Sequence, residues 1–312
     1  LRGIIVPSAN GTEASVVAEI DVIPVDTLQE TVAFLDGKLE IPPLETLANS
    51  MLQANDYLLD YADVRGQEMA KRALVIAAAG AHNILMIGSP GAGKTMLAKR
   101  LPTILPPLTT TESIEASQIY SVLGRLPEET PLLTQRPFRS PHHTISQAGL
   151  VGGGSVPLPG EISMSHNGVL FLDELPEFSR QTIEVLRQPM EDQQVTISRA
   201  KGSATFPANF MLVAAMNPCP CGFRNDPHRS CQCFLPLVER YLAKISGPML
   251  DRIDIQIEIP AVPFKELSAT ADGTSSRQMV SDVKRARKKQ AARFENLVFR
   301  CNSQLPGPQI RQ

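Results

Sequence analysis

Short apolar runs recur along the middle of the chain and alternate with stretches of helical spacing. The runs at 84–87, 168–172, 210–215 and 255–259 have the length of buried strands. A helix is predicted from Gly66 to Gly80, because apolar residues at 69, 70, 73, 74 and 77 share one face and a glycine follows as a stop. Strands alternating with helices predict an α/β fold with a parallel sheet.

The pattern differs toward both ends of the chain. Residues 1–38 alternate apolar runs with turn residues such as Asn10-Gly11, which predicts a small piece made of strands and helices. Residues 39–60 are predicted to form a linker. The core then occupies 61–260, and a further domain begins in 261–312.

Three segments inside the core are less regular. The polar run Thr109–Glu112 predicts a loop ahead of a helix. The segments 138–144 and 149–160 are rich in glycine and proline and predict an insertion in the core. A helix is predicted from Arg180 toward Met190, with Ser179 as its N-cap.

The stretch with the most specific chemistry follows the first apolar run and precedes a helical pattern. It fits G-x-x-x-x-G-K-[ST], the P-loop motif, whose backbone N–H groups cradle phosphate oxygens at a helix N-terminus. The lysine of such a loop reaches the β- and γ-phosphates of ATP, and the hydroxyl residue after it binds Mg²⁺. The motif consists of Gly88, Ser89, Pro90, Gly91, Ala92, Gly93, Lys94 and Thr95.

The second chemical element is an apolar strand, 168–172, that ends in Asp173 and Glu174. After a P-loop, such a pair predicts a Walker B element, with Asp173 in the Mg²⁺ shell and Glu174 polarising the attacking water. Ligands of open α/β sheets bind at the carboxyl ends of strands, where both acids would lie. The alternative is a buried strand followed by two solvated acids.

Two polar residues stand beside later strands. Asn217 follows the strand 210–215 and could orient the attacking water, or it could begin an Asn-Pro turn. Arg252 precedes the strand 255–259 and is a candidate arginine finger acting on a neighbouring subunit, or it forms a surface salt bridge.

Basic residues concentrate in two places. Alternating segments around Arg199 and Lys201 predict a hairpin with a basic tip, which could grip phosphates of DNA or be merely solvated. Residues 275–294 predict a basic amphipathic helix, and most such faces are solvated.

Histidines and cysteines raise the question of a metal. The adjacent His142 and His143 could be ligands, but neighbouring side chains diverge, which favours a structural or hydrogen-bonding role. Four of the five cysteines fall within fifteen residues, a density that favours structural Zn²⁺, although C-x-C is tighter than the usual spacing and unmetallated thiols remain the alternative. These cysteines are Cys219, Cys221, Cys231 and Cys233.

Composition changes this picture little. A chain of 312 residues with 43% hydrophobic and 20% charged residues is an ordinary globular protein long enough for two domains. A net charge of −2 leaves any attraction to nucleic acid to local patches. No apolar stretch reaches the length of a membrane span and no signal peptide is evident, so a cytoplasmic location is expected. The chain begins at Leu1, so we expect a piece of a longer protein.

The order of these elements resembles that of AAA+ ATPases with a helix-2 insert and a pre-sensor-1 hairpin. Within them, the chain closely resembles the magnesium-chelatase-like family of ComM and YifB. The sequence motifs that carry this resemblance are Asp63–Gln67 (DVRGQ), His82–Gly88 (HNILMIG), Phe138–Thr144 (FRSPHHT), Leu186–Pro189 (LRQP), Asn217–Gly222 (NPCPCG) and Ser246–Pro248 (SGP).

The resemblance implies roles and partners that the residues alone do not. Asn217 would be sensor 1 and Arg252 the arginine finger of a hexameric ring. Residues 1–38 would be the tail of an amino-terminal Lon-protease-like domain, and 261–312 the start of a helical lid. The basic hairpin would point into a central DNA channel.

Three functions stay open. ComM-like members are DNA helicases that drive branch migration during natural transformation, whereas chelatase subunits power insertion of Mg²⁺ into a porphyrin. The cysteine segment and the Lon-like tail belong to the ComM side of the family, which favours DNA. A nucleotide-gated assembly module is the third reading, and the complete pair Asp173-Glu174 argues against it.

Overall fold

The computed structural model describes residues 2–17, 20–44, 57–126, 132–199, 202–224, 226, 229–262, 273–295, 297 and 299–306. The chain forms two compact units. The first unit comprises Leu1–Asp56 and Pro107–Gln135, and the second comprises Tyr57–Pro106 and Arg136–Gln312.

The first unit contains the predicted amino-terminal piece of strands and helices. Strands β1 (Gly3–Pro7) and β2 (Asp21–Val25) pair in parallel, with helix α1 (Ser8–Ala14) between them and α2 (Leu28–Leu35) after them. The turn predicted at Asn10-Gly11 is wrong, because both residues lie inside α1. Gly11 serves close packing instead, since a Cβ there would lie 2.7 Å from Leu44 Cδ1.

A second correction concerns the polar run Thr109–Glu112. Helix α5 spans Thr110–Val122, so most of this polar run is its first turn. Thr109 accepts from the Glu112 backbone N–H while the Glu112 side chain accepts from Thr109, a capping box that places polar residues at a helix start.

The second unit is built on a five-stranded parallel sheet, which confirms the predicted α/β class. From one edge to the other, its strands are β11 (Ile255–Glu258), β3 (Ile84–Ile87), β10 (Met211–Met216), β7 (Val169–Leu172) and β4 (Phe138–Arg139). Neighbouring strands are hydrogen-bonded in parallel. Every residue of β7 and β10 is buried, as expected where helices cover both faces of a parallel sheet.

One face of this sheet carries helix α3 (Glu68–Gly80), as the apolar spacing predicts, and α4 (Lys94–Arg100), which continues into a 3₁₀ turn at Leu101–Ile104. The predicted basic helix is confirmed as α12 (Ser276–Arg293). It buries Met279 and Val283, and Gln290 donates to the Ala79 carbonyl at the end of α3. The polar side of α12 is thus exposed while its apolar side completes the core.

The opposite face is covered by short elements whose apolar side chains form a second core. Two antiparallel two-stranded ribbons are among these elements. The larger ribbon is the predicted hairpin, and it buries one of its faces through Val195 and Ile197. The elements are α6 (Gln147–Val151), β5 (Gly152–Gly153), β6 (Leu158–Pro159), α7 (Glu161–Met164), α8 (Arg180–Glu184), α9 (Arg187–Asp192), β8 (Gln194–Arg199), β9 (Gly202–Pro207), α10 (Leu235–Leu242) and α11 (Gly247–Leu250).

Two further expectations are corrected here. Phe138–Arg139 does not belong to an insertion, because it forms β4, the edge strand beside β7. The single helix predicted from Arg180 to Met190 is two helices, α8 and α9. Pro189 has no N–H to donate to the Val185 carbonyl, so a continuous helix would lose that hydrogen bond. Ser179 does cap α8, accepting from the Thr182 backbone N–H.

Candidate nucleotide site

The P-loop connects β3 to α4 at the carboxyl edge of the sheet. Gly91 and Gly93 have φ of +79° and +90°, in the left-handed region that favours glycine, and a Cβ on either would meet no atom within 4 Å. Gly88 donates its backbone N–H to the Met216 carbonyl over 3.1 Å, and a Cβ there would clash with the Ile259 carbonyl. The loop is thereby fixed to the ends of the two strands beside β3, with room for phosphates at the start of α4.

Lys94 turns back over this loop and is largely buried. Its Nζ donates to the carbonyls of Gly88 and Ser89, at 2.6 and 3.0 Å, and to Asn217 Oδ1 at 3.2 Å. Burial lowers the pKa of Lys94, and the nearby carboxylates of Asp173 and Glu174 offset part of that shift. Three oxygens therefore surround an ammonium whose natural partner would be phosphate.

Thr95 and Asp173 form the second contact across the site. The Thr95 hydroxyl donates to Asp173 Oδ2 over 2.6 Å, while Asp173 Oδ1 accepts from the Glu174 backbone N–H at 3.0 Å. A hydroxyl and a carboxylate side by side are oxygen donors of the type that Mg²⁺ prefers. The residues present therefore fit a magnesium ion bound together with phosphates.

Glu174 begins the 3₁₀ turn after β7 in a left-handed conformation, with φ of +53°. Such backbone is rare for residues other than glycine and is often found at functional sites. The side chain is 56% exposed, and Oε2 lies 3.6 Å from His143 Nδ1. The carboxylate is therefore accessible to solvent beside the P-loop and has an imidazole as its neighbour.

The arrangement of His142 and His143 differs from the divergence of neighbouring side chains that the sequence argument assumed. The rings of His142 and His143 do not diverge, since their centroids are 4.0 Å apart. His142 Nδ1 is hydrogen-bonded to the Thr144 hydroxyl at 2.9 Å, and His143 faces Glu174. The only group of metal-ligating side chains found among the described residues is the cysteine cluster, so a hydrogen-bonding role is the better description of this pair.

Asn217 follows β10, next to the P-loop strand, and its side chain reaches Lys94 as described above. Its backbone N–H faces the hydroxyl of Tyr241 on α10, and burial raises the pKa of Tyr241 to about 12. The side chain of Asn217 is thus held by Lys94, and its backbone lies beside α10.

Arg252 follows α11 and makes its contacts with other residues of this chain. It donates to the Pro248 carbonyl at 2.6 Å and forms an ion pair with Glu191 of α9, with 22% of the side chain exposed. These contacts agree with the salt-bridge alternative for an isolated chain. They do not test a role toward a neighbouring subunit.

The four clustered cysteines lie together after Asn217. Their sulfur atoms are all within 4.8 Å of one another. Backbone N–H groups of Phe223 and Gln232 donate to Cys221 and lower the pKa of its thiol to about 6. His228, which lies between the two pairs in sequence, falls outside the described residues.

The hairpin presents a polar face as well as its buried one. Thr196 pairs with Thr205 and Ser198 with Ser203 through hydroxyl contacts of 3.0 and 3.1 Å. Arg199, the last residue of β8, is also exposed, but strand alternation puts it on the side of Val195 and Ile197, not in the row of hydroxyls. Lys201 lies outside the described residues, so its position is not defined.

Comparison with known proteins agrees with this geometry. Residues 60–267 match the family described as magnesium chelatase, subunit ChlI. The chain belongs to this magnesium-chelatase-like family. Within it, the chain falls into the ComM/YifB group.

Two relatives of that group match almost the whole chain. YifB of Salmonella typhimurium is 45% identical over 100% of this chain and 60% of its own length. Competence protein ComM of Haemophilus influenzae is 44% identical over 97% of this chain and 59% of its own length. The chain thus spans about 60% of these relatives.

More distant matches add little. The magnesium-chelatase 67 kDa subunit of Heliobacterium mobile is 24% identical over 64% of this chain and 33% of its own length. Among solved structures, NtrX from Brucella abortus in complex with ADP is 17% identical, with a TM-score of 0.40 over 77% of this chain and 44% of that one. In the described part of the chain, no helix combines the length and apolar character needed to cross a membrane.

Sequence reasoning missed three neighbours of the site. His143 could be placed beside Glu174 only by recognising β4, whose two residues are too few to show a strand pattern. Tyr241 belongs to a helix that was not predicted. Gln67 was seen only as part of a motif, but its side chain joins the P-loop to the end of β11 by donating to the Ala92 and Pro260 carbonyls.

Proposed function

We propose that this chain binds ATP with Mg²⁺ and hydrolyses it as the motor of a DNA-acting assembly. The observation that carries the nucleotide part is the meeting of Lys94, Thr95, Asp173 and Asn217 within hydrogen-bond distance at one edge of the sheet. A P-loop lysine and hydroxyl beside an aspartate and an asparagine at the ends of neighbouring strands form the arrangement that phosphoryl-transfer enzymes use for positioning and charge stabilisation.

Each side chain then has a separate task. Lys94 exchanges its carbonyl partners for the β- and γ-phosphates, and Thr95 and Asp173 hold the magnesium shell. Bound Mg²⁺ would neutralise charge that develops on the phosphates. Glu174, exposed and next to Asp173, orients and polarises the attacking water. Asn217 stands where it can fix that water or the terminal phosphate.

We further propose that the active assembly is a homo-oligomeric ring, expected to be hexameric and cytoplasmic. Arg252 would leave Glu191 and complete the site of the neighbouring subunit, as arginine fingers do when supplied in trans. In this proposal, residues 1–38 are the tail of a Lon-protease-like domain, 39–60 a linker, 61–260 the ATPase core and 261–312 the start of a helical lid.

DNA is the proposed substrate, and the hairpin supports it. It has exposed hydroxyls on one side, and Arg199 is exposed at the end of β8, near a tip that also contains Lys201 in sequence. Arginine, lysine and hydroxyl side chains are the usual partners of the phosphate backbone, and they contact it without reading sequence. One close relative is named a competence protein, which agrees with branch migration of DNA during transformation.

A chelatase-type motor for insertion of Mg²⁺ into a porphyrin is the second candidate, because the matching family is named for a chelatase subunit. The identity to the named chelatase subunit is 24%, against 44% to ComM. An assembly module without turnover is disfavoured by the accessible Glu174.

One experiment separates these functions. The ATPase rate of the full-length protein would be measured without DNA, with single-stranded DNA and with a four-way junction. We expect the junction or the single strand to stimulate hydrolysis several-fold, with salt-sensitive binding. ATP hydrolysis that no DNA stimulates, in a protein without DNA affinity, would favour the chelatase-type reading, and nucleotide binding without hydrolysis would favour the assembly module.

A further inference from the structure

The cysteine cluster has the spacing of a metal site. The sulfur of Cys219 lies 3.3 Å from that of Cys221 and 3.7 Å from that of Cys231, and the Cys221–Cys231 distance is 3.6 Å. Four sulfurs placed about 2.3 Å from one Zn²⁺ in a tetrahedron would be roughly 3.8 Å apart. A disulfide needs about 2.0 Å between sulfurs, and all four cysteines are free.

The first pair of cysteines lies on a turn that touches the nucleotide site. Gly222 closes this turn by donating its N–H to the Cys219 carbonyl at 2.9 Å. Its φ is +84°, and a Cβ there would lie 2.5 Å from Pro90 Cδ of the P-loop and 3.8 Å from Asn217 Cγ. The turn therefore packs directly against the phosphate-binding loop and the side chain of Asn217.

The second pair of cysteines leads into another element that contacts the same asparagine. Cys231 and Cys233 lie just before α10, whose Tyr241 hydroxyl lies beside the backbone N–H of Asn217. Asn217 thus lies between the two segments that the cysteine cluster would join.

We propose that the four cysteines bind one Zn²⁺, and that this ion holds Asn217 and the P-loop in the geometry that binds nucleotide. The four thiols lose their protons to solvent as four Zn–S bonds form, with no change of oxidation state. Four protein ligands leave no open position, so the ion positions residues and does not react. The positioning part rests on the proposed nucleotide binding, while the metal part does not.

Metal content tests the first part. The full-length protein, purified without chelator, should contain about one zinc per chain by mass spectrometry of its metals. Cys231→Ser should lose most of it. Cys301→Ser is the matched control, because Cys301 is a buried free cysteine outside the cluster, in contact with Ser303. It should keep its zinc.

Nucleotide affinity tests the second part, with a fluorescent ATP analogue in the presence of Mg²⁺. Removing zinc from the wild-type protein with a chelator should weaken binding on the order of tenfold or more, and adding Zn²⁺ back should restore it. Gly222→Ala keeps every cysteine but pushes a methyl group against Pro90. It should retain zinc and still bind nucleotide more weakly, with unchanged circular dichroism.

The outcomes are distinguishable. A protein with no zinc, four free thiols in the cluster and normal nucleotide affinity overturns the metal site but leaves the proposed function intact. Bound zinc whose removal does not change affinity in a folded protein overturns the positioning role. A zinc-containing protein that binds no nucleotide at all contradicts the proposed function, and the positioning role with it.

Discussion

The nucleotide site and the β8–β9 hairpin belong to the same compact unit, yet they hold their polar groups in opposite ways. In the site, Lys94 and Thr95 bind other groups of the same chain, and the strands behind them are buried. Along the hairpin, hydroxyls pair only across the ribbon and Arg199 is exposed. The polar groups of the site are thus held by one another, whereas the hairpin presents hydroxyls and a cation on an exposed surface.

This difference predicts how substitutions should act. Substitutions in the preorganised site should lower the rate of ATP hydrolysis by orders of magnitude, because aligned groups contribute most when nothing has to rearrange. Changes on the hairpin should alter affinity gradually, one charge at a time.

The largest effect is expected at Arg252. Arg252→Ala should lower ATPase activity about 10³-fold, since a finger supplied in trans contributes on that order. Mixing it with Lys94→Ala subunits should partly restore activity, because some interfaces then combine an intact P-loop with an intact arginine. Two affinity tags would show that mixed assemblies form. If they form without any recovery of rate at any ratio, Arg252 does not act across subunits.

Glu174→Gln should reduce turnover about 10²-fold or more while leaving ATP binding nearly unchanged, because the carboxylate acts on water and not on the ground-state phosphates. Single-turnover hydrolysis and equilibrium binding would be measured on the same preparation. A normal hydrolysis rate would show that another group polarises the water.

The hairpin should show the smallest effect. Arg199→Ala with Lys201→Ala should weaken binding to all DNA sequences similarly and flatten the dependence of log affinity on log salt by roughly one unit per cation removed. Stimulation of the ATPase by DNA should be lost and the basal rate kept. Lys288→Ala with Lys289→Ala, two exposed cations of α12, is the matched control. If the control variant behaves like the hairpin variant, the hairpin is not the DNA contact.

The same contrast explains what could be predicted from sequence. The strands β3, β7 and β10 are apolar throughout, so their positions and the polar residues at their ends were predictable, and with them Lys94, Asp173 and Asn217. The two-residue strand β4 was not, because so short a segment has no period, and the position of His143 beside Glu174 therefore could not be predicted.

Local chemistry accounts for one error, and tertiary packing accounts for contacts that the sequence does not reveal. The capping box at Thr109 looked like a loop because helix starts and loops favour the same polar residues. The packing of Gly222 on Pro90 depends on two segments far apart in sequence, which no local pattern reveals. The contact of Arg252 with Glu191 is likewise a product of the tertiary fold.

Equilibrium binding of ATP in the presence of Mg²⁺ to the wild-type protein and to Lys94→Ala tests the central claim most directly. The account predicts saturable binding by the wild type and a loss of at least about a hundredfold in affinity for the variant, because the buried ammonium is the charge that faces the phosphates. Equal affinities in two folded proteins, or no binding by the wild type, would contradict the assignment of this edge of the sheet as a nucleotide site.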